Sequence, residues 1–102
     1  MVHAGRISKS DEDTVSWQAK KATSAVTIRF SRQPPLVDDM GNQIPMQLVL
    51  DANNHYTSPE YKVRDDVIII TPSSYKYTIS GGFAILSEFH KDTDDPQVII
   101  DP

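Results

Sequence analysis

Apolar and polar positions alternate with a period of two in several segments of the chain, the spacing of a strand that keeps one face in a core. Over Ser24–Phe30, Val26, Ile28 and Phe30 point one way, and Thr27 and Arg29 the other. Gln43–Leu50 repeats the pattern with Ile44, Met46, Leu48 and Leu50 inward, and Pro45 near its start, where a missing N–H is best tolerated. Tyr75, Tyr77 and Ile79 share a face, as do Phe83, Ile85 and Phe89, and Ser80-Gly81-Gly82 lies between them. This predicts a β-hairpin over residues 75–89. Thr14–Gln18 reads as a short strand with Val15 and Trp17 on one face. A helix from Asp11 to Ala25, capped by Ser10 or Asp11, competes with it, but Thr14, Thr23 and Ser24 are poor helix interior residues.

One run breaks the alternation. Val67-Ile68-Ile69-Ile70 is entirely β-branched, lies between Asp65-Asp66 and Pro72, and predicts a central strand buried on both faces. On that reading Ile69→Ala costs about 2–5 kcal/mol. Tyr56–Val63 reads as an irregular edge strand because Pro59 and Lys62 blunt edges, and Gln97–Asp101 as a last short strand at a sheet edge. Pro34-Pro35 and Asp38–Asn42 place a long loop after Phe30, with Leu36 and Val37 tacking it to the core.

These elements predict an all-β fold, a single antiparallel β-sandwich of about seven or eight short strands, with a small barrel as the alternative. Length allows one domain: 102 residues, of which 1–13 are expected as a flexible N-terminal arm and 14–102 as the β domain. An apolar fraction of 38% against 24% charged residues fits a globular chain. The longest apolar run falls far short of a membrane span, and the basic N-terminus is followed by no apolar signal region, so a soluble protein without membrane insertion is expected. The sequence names no compartment; a virion or an extracellular assembly fits as well as a cytoplasm.

Charge adds an asymmetry. Residues 1–32 carry a net +3 and residues 33–102 a net −7. This polarity suits head-to-tail docking of the arm on an acidic neighbour. The acidic balance, with a pI near 5.1, opposes nucleic-acid binding.

Candidate chemistry is sparse. Without cysteine there is no disulfide, thiolate nucleophile or Cys-based zinc site. His3, His55 and His90 stand in no metal-binding spacing. Asp51-x-Asn53-x-His55 begins like a calcium loop, but Tyr56 and Lys62 stand where an EF-hand needs Gly and Glu. Asp92, Asp94 and Asp95 are the weak candidates for a divalent cation. Asp38-Asp39 and Asp65-Asp66 are neighbours in sequence, facing opposite sides of any strand, and do not suit a shared proton. No nucleophile elbow, phosphate loop or dinucleotide fingerprint occurs, so neither a cofactor nor enzymatic chemistry is expected.

Trp17, Tyr56, Tyr61, Tyr75 and Tyr77 are the candidate binding residues, amphipathic rings that stack on sugars or fill a protein interface when they face water; Tyr75 and Tyr77, with Ile79 on their face, read first as core and form a platform only if that face is outward. The expected function is that of a non-enzymatic structural subunit. It docks through its sandwich surface and N-terminal arm into a larger protein assembly of the virion, phage-tail or appendage type, with a protein or itself as partner, most simply as a homo-oligomer. A small carbohydrate-binding or adhesin-like module is the alternative.

Overall fold

A computed structural model describes residues 5–20, 22–81 and 97–102. These residues form eight strands: β1 (Arg6–Ser8), β2 (Thr14–Val15), β3 (Val26–Phe30), β4 (Leu36–Val37), β5 (Gln47–Leu50), β6 (Tyr61–Val63), β7 (Ser73–Gly81) and β8 (Gln97–Asp101). The only helical element among them is the short 3₁₀ turn Ala52–Asn54. One sheet has five strands in the order β1-β8-β7-β3-β5, and the other three in the order β2-β6-β4.

The nearly all-β expectation holds, but the larger sheet is mixed. β1 pairs parallel to β8, with Arg6 opposite Ile99 and Ser8 opposite Asp101, while all other pairings are antiparallel. Residues 6–8, expected in a flexible arm, are thus a strand. Ile7 is buried in the core, and Arg6 is clamped to Asp101 through two hydrogen bonds, at 2.6 and 2.9 Å. The described residues of Asp11–Ala25 form no helix, and Val15 and Trp17 are buried as the strand pattern requires.

The alternation seen in the sequence sets the inner faces. Val26, Ile28 and Phe30 are buried on β3, Leu48 and Leu50 on β5, and Tyr75 and Tyr77 on β7. One apolar cluster joins these residues to Val15, Leu36, Tyr61 and Val63 of the smaller sheet. Leu36 and Val37 hold the long loop down as a two-residue strand against β6. Where β3 opposes the end of β7, only glycine fits: Gly81 has φ +78°, and a Cβ there would lie 2.3 Å from the Ala25 carbonyl oxygen.

Four expectations are corrected. Val67–Ile70 is not a central strand: Ile68 is 84% and Ile70 83% exposed. The Val67 N–H closes a turn on the Arg64 carbonyl, and the chain bends again at Ile70–Thr71 before Pro72. Held between a turn and a bend, these four residues join neither sheet, whatever their β propensity. Tyr61–Val63 is no edge but the middle strand of its sheet: Pro59 precedes it, and Lys62 merely points away from the core. β8 is likewise interior, between β1 and β7. Met46 is 40% exposed, since regular pairing of this strand starts only at Gln47. The second arm of the predicted hairpin, Phe83–Phe89, and its Gly82 lie outside the described residues.

Burial ranks three aliphatic truncations by urea denaturation. Leu36→Ala, at a fully buried site, is expected to cost about 2–5 kcal/mol. Ile69→Ala falls to about 1–2 kcal/mol, because Ile69 packs only partly buried against the cluster. Ile70→Ala stays within about 0.5 kcal/mol. Equal costs for Leu36 and Ile70 would contradict the packing.

Candidate functional site

The displaced isoleucine run forms the most unusual surface of the described residues. Burial along it alternates as in an extended chain: Val67 and Ile69 are half-buried, while Ile68 and Ile70 face water. Ile69 packs against the core cluster from outside and so seats the run on the fold. Among the described residues no hydrogen bond engages the main-chain groups of Ile68, Ile69 or Ile70. The result is an apolar ledge with free main chain.

What holds the ledge in place is polar. Arg64 N–H donates to the Pro35 carbonyl at 2.9 Å, its Nε to Asp66 at 2.7 Å, and its guanidinium to Gln43 Oε1 at 3.1 Å. Lys9, in the turn after β1, donates from Nζ to the carbonyls of Asp65 and Val67. Lys62 and Asp65 make a looser ion pair at 3.8 Å. Between that turn and the end of β6 opens a cleft of about 290 Å³, whose walls include Lys9, Glu12, Asp13, Lys62 and Asp65. Its charged groups are of mixed sign, and all but the half-buried Lys9 are exposed, which suits neither a focused anion site nor a metal centre.

Lys9 depends in turn on the β1–β8 closure, since its N–H donates to the Asp101 carbonyl at 3.0 Å. The hydrogen bond from Arg6 to the Asp101 carboxylate, opposed by desolvation and aided by the opposite charge, holds that carboxyl below the usual aspartate range; Arg6 is correspondingly raised. Asp38 is also lowered, first by the Asn42 N–H, with the Met40 N–H and the Asn42 side chain adding to it. Asp38, of the adjacent pair Asp38-Asp39, is therefore a turn cap.

The sequence-selected aromatics are elsewhere. Trp17, Tyr61, Tyr75 and Tyr77 are buried, with Trp17 wholly inaccessible; Tyr56 is half-buried against the same cluster. Trp17 meets Phe30 at 5.7 Å and Tyr77 at 6.0 Å, both edge-to-face, and Tyr61 at 6.3 Å between ring centroids. Burial pushes the phenols of Tyr77 and Tyr61 up. The Trp17 indole N–H partly offsets this at Tyr77 but reaches no acceptor in hydrogen-bond geometry. These rings build a core, and they form no exposed stacking platform. Asp51, Asn53 and Asn54 are tied up in capping the 3₁₀ turn, the Asp51 carboxylate accepting from the N–H groups of Asn53 and Asn54. Asp92, Asp94, Asp95, His3 and His90 lie outside the described residues, among which no three metal-ligating side chains gather.

Ile68, Ile70 and Lys9 are the residues that the sequence reading missed as surface features. The usable signal was present: an acidic pair and a proline bracketing only four residues. Searches against protein-family models, curated proteins and solved structures found no significant match.

The Asp101 clamp sets a pH dependence. Its folded pKa lies below its unfolded one, so its stabilisation is complete above the ordinary carboxylate range, near 3.9, and is lost as pH falls through that range to the lowered folded value. Asp101→Asn is expected to lower stability at neutral pH and to flatten its decline in acid, read as urea midpoints from neutral pH to pH near 2. An unchanged acid slope would show that the clamp contributes nothing.

Proposed function

We propose that this protein is a non-enzymatic assembly subunit that docks on other protein through the Val67–Ile70 ledge. The reading treats the two sheets as the layers of a small sandwich that serves as a scaffold for the ledge. One observation carries it: two β-branched side chains more than four-fifths exposed, side by side where, among the described residues, the main-chain groups of Ile68, Ile69 and Ile70 have no hydrogen-bond partner. Isolated surface isoleucines are ordinary, but an apolar stripe joined to free donors and acceptors matches what strand-addition interfaces use. The docking role thereby moves away from the N-terminal residues, since Arg6–Ser8 already belong to a sheet. It moves also from β6 and β8, which are paired on both sides. A sugar-binding role draws no comparable support once the candidate aromatics are core.

A photoreactive amino acid placed at Ile68 in cells that make the protein tests this reading. A protein adduct identified by mass spectrometry is expected at position 68. A control at the exposed Gln47, on the far edge of the larger sheet, should give none, and Ile70→Lys should abolish the adduct at position 68. No adduct at 68, or equal adducts at 68 and 47, would overturn the role of the ledge.

A further inference from the structure

We infer that β1 and β8 form a load-bearing clamp, which resists forces that draw the two ends of the chain apart. This role is separate from the docking role of the ledge and does not rest on it. The pair is parallel, in register Arg6 to Ile99, Ile7 to Ile100 and Ser8 to Asp101. The chain therefore enters β1 beside Ile99 and leaves β8 past Asp101, at the opposite end of the pair. With a rise of about 3.3 Å per residue, the line between those two points runs mostly along the strands. Tension along it slides β1 against β8 and loads every cross-link at once. An antiparallel pair of terminal strands would have both ends on one side and would open bond by bond.

The cross-links are dense for so short a strand. Besides the ladder, the Arg6 guanidinium holds the Asp101 carboxylate through hydrogen bonds of 2.6 and 2.9 Å. The Lys9 N–H donates to the Asp101 carbonyl at 3.0 Å. The hydroxyls of Ser8 and Ser10 both donate to the Pro102 carbonyl, at 2.8 and 3.1 Å. The turn behind β1 is tied back in its own right, since the Ser8 N–H donates to the Asp13 carboxylate and the Asp13 N–H to the Ser8 carbonyl. β1 and its turn thus grip the last residue of β8 and the proline after it.

Sliding offers no cheap resting place. Ile7 opposes Ile100, and both are buried in the core. A slip by one residue turns the inward side chain of β1 outward. The next register that keeps the faces, displaced two residues along the pull, sets Ile7 against Val98 and Lys9 against Ile100. It drives the Lys9 ammonium toward the place that Ile7 leaves, where an unpaired charge is costly. β8 is itself held between β1 and β7, so its own displacement also breaks the ladder over Ser73–Lys76. Rupture therefore needs ladder, ion pair and buried side chain to fail together.

Single-molecule force spectroscopy of the full chain in two pulling geometries tests the inference. One geometry pulls on the two ends through fused protein handles. The other pulls between Ser10→Cys and a cysteine added after Pro102, the natural chain having none; Ser10 lies hydrogen-bonded beside Pro102, so this geometry opens the pair from one end. The end-to-end protein carries Ser10→Ala, so that both lack the Ser10 hydroxyl and a difference in force reads direction. The end-to-end rupture force is expected to be several-fold higher. Asp101→Ala and Arg6→Gln, each shown to be folded by circular dichroism, should each lower it, because forced unfolding reads the barrier that these cross-links raise. Equal forces in the two geometries, or an end-to-end force unchanged in either folded variant, overturns the clamp. The comparison of geometries decides the matter even where a variant fails to fold.

Discussion

The burial of Trp17 is the constraint on which the rest of this small fold depends. The indole touches Phe30 and Tyr77 of the larger sheet and Tyr61 of the smaller one, so a single side chain bonds the two sheets together by contact. Neither sheet has much to offer alone: three strands have two or three residues in the smaller, and β1 has three in the larger. With no disulfide available, cohesion must come from area removed from water and from edge-to-face ring contacts, each worth about 0.5–1.5 kcal/mol beyond burial. Among the described residues the indole N–H meets no acceptor in hydrogen-bond geometry, its nearest polar influence being on the Tyr77 phenol.

Among the described residues five aromatic rings fill the interior, and the isoleucine run lies outside it. The most β-prone run in the chain finds no ladder to join and is laid over the core by one residue, Ile69, with its neighbours in water. Polar anchors then define it: Arg64 to the Pro35 loop at one side, Lys9 from the β1 turn at the other. The N-terminal residues thereby act at a distance from their own strand, because pairing β1 to β8 is what brings Lys9 to the ledge. The ledge is held by ordinary structural contacts, and only its outward side remains unsatisfied.

Faces were more legible in the sequence than neighbours. The inward positions of β3, Leu48 and Leu50 of β5, and Tyr75 and Tyr77 of β7 follow from a period of two, which is local information. Leu36 and Val37 could be placed because a loop flanked by prolines needs anchors. Strand order could not be read, since Pro59 and Lys62 describe propensities of their own positions and say nothing about which strand arrives on either side of Tyr61–Val63. The parallel pairing of β1 to β8 joins residues separated by more than ninety positions, with no turn between them to announce it. For the isoleucine run, hydrophobicity was taken as evidence of burial, whereas its length between Asp65-Asp66 and Pro72 decided the outcome. The same substitution of composition for context made Trp17 and Tyr61 look like binding residues, whereas Ile79 on the face of Tyr75 and Tyr77 already pointed those two inward.

The central claim is that Trp17, and not the isoleucine run, holds the fold together, and equilibrium urea denaturation of two variants at dilute concentration tests it most directly. The account predicts a loss of about 3–5 kcal/mol for Trp17→Ala and less than about 1 kcal/mol for the combined Ile68→Ser, Ile70→Ser change. A double isoleucine variant destabilised as much as the tryptophan variant would contradict it.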